Sequence, residues 1–219
     1  MSILLAIETS SREYSIALGR DRQLRYNSAH QQTGCCSTDI AALISDGLES
    51  IGAEVSDISA ITLNIGPGGL SYVRSGVSFA NALSFSLGIQ IYPFNTFEIL
   101  GCEVVRHTTL PLLYVVPAAN GTGYVGVVDG PAVRMMRFGP LDSAVAQAIN
   151  GIAEVAIAGG IRERVAALLP EVKTVDTGID RPDVSVLLEM CYRAWDRGSQ
   201  PVPHVSPLTE QASVFYEQA

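Results

Sequence analysis

No run in this 219-residue sequence approaches the ~20 consecutive apolar residues that span a bilayer, so no membrane helix is expected. The opening MSILLAIE lacks both a basic n-region and a cleavage site, which leaves a cytoplasmic location as the expectation. Histidine is scarce: His30, His107 and His204 stand far apart, with neither HExxH nor HxxxH spacing, so the helical zinc-protease pattern is missing and no metal site is expected. Cys35, Cys36, Cys102 and Cys191 form no CxxC or Cys–His arrangement. The adjacent pair suits an ordinary disulfide poorly, and reduced thiols are expected. Basic residues are scattered and the net charge is −8, so strong nucleic-acid binding by this chain alone is not expected.

What is present is apolar and patterned. Apolar residues make up 47% of the chain and the mean hydropathy is +0.26, which suits a folded chain with a full core. Ile3 to Ile7 is a buried-strand run ending in the polar turn Glu8-Thr9-Ser10-Ser11. Strands at 14–18 and 23–29 follow, then a helix at 38–50 with Ser37 or Thr38 as N-cap. After a strand, a glycine turn and a helix, the same order returns. Strands at 112–116, 124–128 and 133–138 precede a helix at 141–149, a strand at 155–158, the Gly159-Gly160 turn and a helix to Leu169. A helix at 183–195 and a proline-rich tail close the chain. The repeat is one of order, not of residues. It predicts two mixed α/β units, 1–103 and 104–219, on the plan of the actin-like/sugar-kinase/Hsp70 (ASKHA) fold, each a mixed sheet flanked by helices.

The best-defined stretch runs from Ile61 to Gly88: a buried strand, the turn Gly66-Pro67-Gly68-Gly69, and a helix from Leu70 with Gly88 placed as its C-terminal cap. At ~100° per residue, Tyr72, Val73, Val77, Phe79, Ala80, Leu83 and Leu87 form a core-facing arc. Beside it Ser71, Ser75, Ser78, Ala82 and Ser86 make a stripe of small side chains, flanked by Arg74, Asn81 and Phe85. Such a stripe allows another backbone close. Spacing alone leaves open a partner, a helix of the same chain, or water.

Two features invite a phosphate reading. The turn's N–H groups, Gly66, Gly68 and Gly69, could face an anion at a helix start, and Glu8 ends the first strand, where a carboxylate could hold Mg²⁺ through water. No Lys-Ser/Thr follows the glycines, so a P-loop is absent. A tight turn for close packing and a carboxylate capping a turn are the favoured readings. No Ser/His/Asp arrangement is evident, and no catalytic residue is expected.

MSILLAIETSSREYSIAL and IGPGGLSYVRSGVSFANALS resemble the two hallmark segments of the TsaB (YeaZ) family, ILAIDTST…SVAL and GPGSFTGxRxGxxxAxGLA. Gly66, Pro67, Gly68, Arg74, Gly76 and Ala80 match, and Leu83 also fits. The resemblance covers about the first 100 residues. Glu8 stands where the family has Asp, Gly69-Leu70-Ser71-Tyr72 replaces Ser-Phe-Thr-Gly, and Cys36 replaces a family His. The segment at 117–124 keeps only Ala, Gly and Tyr of the family's DARxGEVY. The family implies a non-catalytic subunit that supports a catalytic TsaD-like paralogue, with a TsaE-like ATPase, in placing threonylcarbamoyl on the tRNA adenosine beside the anticodon. It implies contact through first-lobe helices, a homodimer on the same surface when alone, tRNA met only through the complex, and no membrane. The expected interface is then Ser71, Arg74, Ser75, Ser78, Asn81, Ala82 and Phe85. No tightly bound cofactor is expected, only weak ATP or ADP with Mg at a partner interface, touching Glu8, Gly66, Gly68 and Gly69. The competing reading is a small ATP-dependent phosphotransferase or ATPase of the actin-like superfamily. The older label of the family as a metal-dependent glycoprotease finds no support in the histidines.

Overall fold

The computed structural model describes residues 2–30, 39–130 and 132–208. The expectations for Cys35, Cys36, Ser37 and Thr38 lie outside the described residues. The described residues form two units, the first within 2–96 and 183–207, the second within 97–182 with residue 208.

In the first unit β1 (Ile3–Glu8), β2 (Ser15–Arg20), β3 (Gln23–Asn27), β4 (Ile58–Asn64) and β5 (Gln90–Phe94) form a sheet in the order β3-β2-β1-β4-β5. The first three strands are antiparallel neighbours, whereas β4 runs parallel to β1 and β5 parallel to β4. β1 is buried along its whole length, as its unbroken apolar run requires of a strand covered on both faces. Ile3, Leu5 and Ile7 point into a core shared with α1 (Ile40–Ser50) and α2 (Leu70–Leu87). Asp39 caps α1, its carboxylate accepting from the Ala42 N–H at 3.0 Å.

In the second unit β6 (Leu112–Pro117), β7 (Thr122–Asp129), β8 (Ala132–Pro140), β9 (Glu154–Ala158) and β10 (Lys173–Asp176) repeat the order, as β8-β7-β6-β9-β10, with the same antiparallel and parallel pairings. α4 (Leu141–Ala148) and α5 (Arg162–Ala167) cover one face. Phe97, Leu100 and Val104 of α3 (Thr96–Val104) join the core on the other. The repeated order read from the sequence is the observed one.

The boundary differs from the expected 103/104. The first unit gives way at Thr96, and it takes back α6 (Val184–Asp196), which packs on β1, β2, β3 and β4. Gly19 of β2 leaves room that the Tyr192 and Leu188 side chains of α6 fill. In the second unit Gly126 of β7 makes the same concession to Phe97. The tail also returns to the first unit. Val202 pairs with Ile91 through two backbone hydrogen bonds, Ile91 N–H to Val202 O at 2.8 Å and Val202 N–H to Ile91 O at 2.9 Å, and covers that edge of the sheet.

Candidate functional site

The turn after β1 and the glycine turn after β4 meet in a buried polar knot. Glu8, 1% exposed, accepts from the Ser10 N–H at 2.6 Å through Oε1 and from Asn64 Nδ2 at 2.6 Å through Oε2. Asn64, the last residue of β4, turns its Oδ1 to the Gly66 N–H at 2.8 Å. The Thr96 hydroxyl lies 3.1 Å from the same Oδ1 and donates to Pro67 O at 2.7 Å, while the Thr96 N–H donates to Gly66 O at 2.9 Å. The Gly69 N–H donates to Ser10 O at 2.8 Å.

This arrangement decides what the glycines are for. A Cβ at Gly68 would strike the Ser10 backbone, and one at Gly76 would overlap Thr9 Oγ1. Both glycines therefore let α2 lie directly on the β1–β2 turn. Gly66 and Gly69 donate inside the chain, so two of the turn's N–H groups are already spent. Glu8 caps its own turn. Asn64 and Thr96, which complete the knot, were not singled out from the sequence. The one signal was an Asn placed at a strand end immediately before a glycine turn.

α2 spans Leu70–Leu87 as expected, and Gly88 ends it in the left-handed region at φ 65°. Val73, Gly76, Val77, Ala80 and Ser84 are buried. Ser71, Ser75, Ser78, Ala82 and Ser86 are all exposed, as is Arg74, and Phe85 is 90% exposed. The stripe is therefore a solvent face, not a contact with another helix of the first unit. Ser75 donates its hydroxyl to Ser71 O at 2.9 Å and Ser86 to Ala82 O at 2.8 Å. Those hydroxyls are satisfied by their own helix, so covering them leaves no donor stranded. Asn81 departs from its expected role. Its amide is spent on the tail, Nδ2 donating to Val205 O and Oδ1 accepting the Val205 N–H, each at 2.9 Å. It is half-buried and holds the strap down beside α2 instead of standing free in the face.

Among the described residues no group of three or more His, Cys, Asp or Glu side chains could hold a metal ion, and no helix is long and apolar enough to cross a membrane. Arg162, at the start of α5, is an internal clamp. It donates to Gly159 O at 2.8 Å and pairs with Asp176 at 2.7 Å and with Asp180, and the two carboxylates raise its pKa, its hydrogen bond to Asp180 foremost.

Two like units, each a mixed five-stranded sheet in one strand order with helices on its faces, define the two-lobed ASKHA class of α/β proteins. The same fold is seen in YeaZ from Pseudomonas aeruginosa (TM-score 0.74, 22% identity, 95% of this chain and 100% of that one) and in a Pseudomonas aeruginosa protein with similarity to peptidase YeaZ (TM-score 0.77, 21% identity, 95% and 99%). A family model described as TsaD: tRNA N6-adenosine threonylcarbamoyltransferase matches residues 35–185. The chain belongs to the TsaD family, and its fold is that of YeaZ. A tRNA N6-adenosine threonylcarbamoyltransferase of Streptococcus suis is 26% identical over 171 residues, covering 70% of this chain and 51% of the relative. One of Geotalea uraniireducens is 25% identical over 171 residues, covering 70% and 50%. The chain thus spans about half the length of the curated relatives it matches.

Proposed function

We propose that this chain is a non-catalytic subunit in the threonylcarbamoylation of tRNA adenosine, and that it binds a catalytic TsaD-like protein through the exposed face of α2. The observation that carries the reading is Phe85, a large apolar side chain left 90% exposed on a helix whose neighbouring face consists of small residues. Phe85 supplies an anchor, and Ser71, Ser75, Ser78 and Ala82 admit a close helix beside it. Arg74 stands exposed on the same helix, where it can pair with a carboxylate on the partner. The non-catalytic part rests on the buried knot, in which Glu8, Gly66 and Gly69 are occupied by their own chain. No tightly held cofactor is assigned to this subunit. Any nucleotide with Mg would bind weakly, at the partner interface. When alone, the chain pairs with a second copy through the same face. A TsaE-like ATPase completes the assembly, tRNA is met through the complex, and the location is cytoplasmic.

Co-purification with the TsaD-like protein of the same cell tests this. The parent chain is expected to hold the partner, and Ser78→Trp, which fills the stripe at an exposed position, to lose it while keeping the parent's circular dichroism. If Ser78→Trp and Phe85→Ala both retain the partner, α2 is not the contact.

A further inference from the structure

The exposed face of α2 is bordered by the strap of residues 198–207, which runs back from α6 past the β5 edge. Two attachments seat the strap against the helix. Pro203 O lies 3.3 Å from Ser84 Oγ, and Val205 exchanges both of its backbone groups with the Asn81 amide at 2.9 Å. His204 sits between these attachments and is exposed, as are Pro203 and Ser206. At ~100° per residue, Ser84, Val77 and Asn81 form the flank beside the strap, and Arg74, Phe85 and Ser78 come next around the helix. Phe85 therefore stands on the strap side of the face. At 90% exposure its ring is covered by neither the strap nor the small-residue stripe.

The charge of this surface sets it apart from the rest of the chain. Asp and Glu number 22 in 219 residues, yet none occurs from Ile58 to Phe97 or from Gly198 to Pro207. The groups there that can carry positive charge are Arg74 and His204. Burial accounts for the missing acids in β4, but not for those on α2 and the strap. Ser71, Ser75, Ser78, Ser86, Pro203 and Ser206 are exposed, and a carboxylate at any of them would stay in water. The exposed acids of α1, Asp46 and Glu49, belong to the other flank. α1 lies over β2 and β3, whereas the strap borders α2 along β5, at the opposite end of the strand order. A chain of net charge −8 thus presents one face that repels no anion and offers two cationic groups.

We propose that the strap is the second wall of the recognition surface, and that the protein segment seated against Phe85 carries carboxylates which meet His204 on the strap and Arg74 on the helix. Arg74 and the level of His204 are separated by two to three turns, about 13 Å along α2, so a segment that meets both spans at least that length. Charges placed at the rim of an apolar anchor select the partner and steer its approach. The inference deepens the proposed function and rests on its use of α2, adding the chemistry of the partner face and a residue that reads it. A second copy is the poorer occupant, because this face would bring it no carboxylate.

The affinity of the full chain for the TsaD-like protein of the same cell is measured at about 0.05 and about 0.5 M salt, from weak to strong screening. His204→Glu sets like charges together and should weaken binding about tenfold at low salt, with most of the loss gone at high salt. Its melting temperature should match the parent's, because the residue is exposed. His204→Gln should stay within about threefold of the parent. Ala146→Glu, exposed on α4 of the second unit, adds the same charge elsewhere and should bind as the parent does. Binding of His204→Glu within about twofold of the parent, a loss equal at both salts, or an equal loss in Ala146→Glu overturns the proposal. So does self-association weakened by His204→Glu with partner binding unchanged, which would make a second copy the occupant. Ser78→Trp separates the two readings. If it loses the partner while His204→Glu keeps it, the strap contact falls and the α2 contact stands. If Ser78→Trp and Phe85→Ala both keep the partner, the α2 reading fails and takes the strap with it.

Discussion

The buried knot around Asn64 has a fixed hydrogen-bond direction, and that direction can be tested by exchanging two isosteric side chains. The Gly66 N–H donates to Asn64 Oδ1, which forces Nδ2 toward Glu8, and the Ser10 N–H donates to the other oxygen of Glu8. Glu8 must therefore accept at both ends. In Glu8→Gln one end becomes an NH2 group that faces either the Ser10 N–H or Asn64 Nδ2, donor against donor. Flipping Asn64 only moves the conflict to Gly66. The variant loses a charge-assisted hydrogen bond and strands a buried donor, at a combined cost of about 2–4 kcal/mol. At roughly 2–4 °C per kcal/mol for a chain of this size, the melting temperature should drop by roughly 4–16 °C. Asn64→Asp should do at least as badly, because it sets a second carboxylate against Glu8.

The double variant Glu8→Gln/Asn64→Asp restores the direction. The introduced glutamine amide accepts from the Ser10 N–H and donates to the introduced carboxylate, whose other oxygen accepts from the Gly66 N–H. Thermal and urea denaturation of the four proteins give the cycle, and the double variant should recover most of what either single loses, with a coupling of about 2 kcal/mol or more. If Glu8→Gln unfolds within about 0.5 kcal/mol of the parent, or the double variant is no better than Asn64→Asp, the direction of the network is wrong.

Two further outcomes follow from contacts in the first unit. Gly76→Ala gains up to ~1 kcal/mol of helix propensity but pushes a methyl into Thr9, so a net loss of about 1–2 kcal/mol is expected. Thr9→Ala in the same chain should remove that penalty, which urea melts of the pair will read. Burial raises the Cys191 thiol to about 12, above its ordinary value of 9.0, although a hydrogen bond with Thr62 pulls the other way. The unfolded thiol therefore releases its proton first, so this group's contribution is intact below pH 9 and is lost progressively as pH rises toward about 12. Tyr92 and Tyr192, raised chiefly by burial, act in the same direction, so the measurement is the difference in alkaline stability between the parent and Cys191→Ala, whose curve should be flatter. Equal slopes would refute the buried-thiol account.

Much of the fold is legible in the sequence because the relevant signals are local. The helix from Leu70 to Leu87 is bounded by a glycine turn and a C-terminal glycine, and its apolar period places Val73, Val77 and Ala80 inside. Strand order is legible at one remove: three short strands joined by turns make a meander, and a helical connection gives the crossover that a parallel neighbour requires. What period cannot give is the address. Val184, Leu187, Leu188 and Cys191 mark α6 as a core helix, but nothing in that spacing says which sheet lacks a cover. The helix packs in the first unit, not the expected second, with Tyr192 and Leu188 beside Gly19, more than 160 residues earlier in sequence.

The candidate site divides along the same line. Exposure of Ser71, Ser75, Ser78 and Ala82 follows from helical geometry once the apolar arc is known, so the stripe could be drawn from the sequence. Asn81 sits beside that stripe and looks equally free, yet its two amide groups match the N–H and C=O of Val205, a backbone pair with no side-chain signature at all. The glycine turn is ambiguous in sequence for a related reason. A phosphate cradle and a close-packed turn need the same residues, and the close approach of the Ser10 backbone to Gly68 is a contact that spacing does not reveal. A turn of this kind holds a phosphate when its N–H groups face outward; here Ser10 O and Asn64 Oδ1 take two of them first. The surface proposed for recognition is instead the α2 face that carries Phe85.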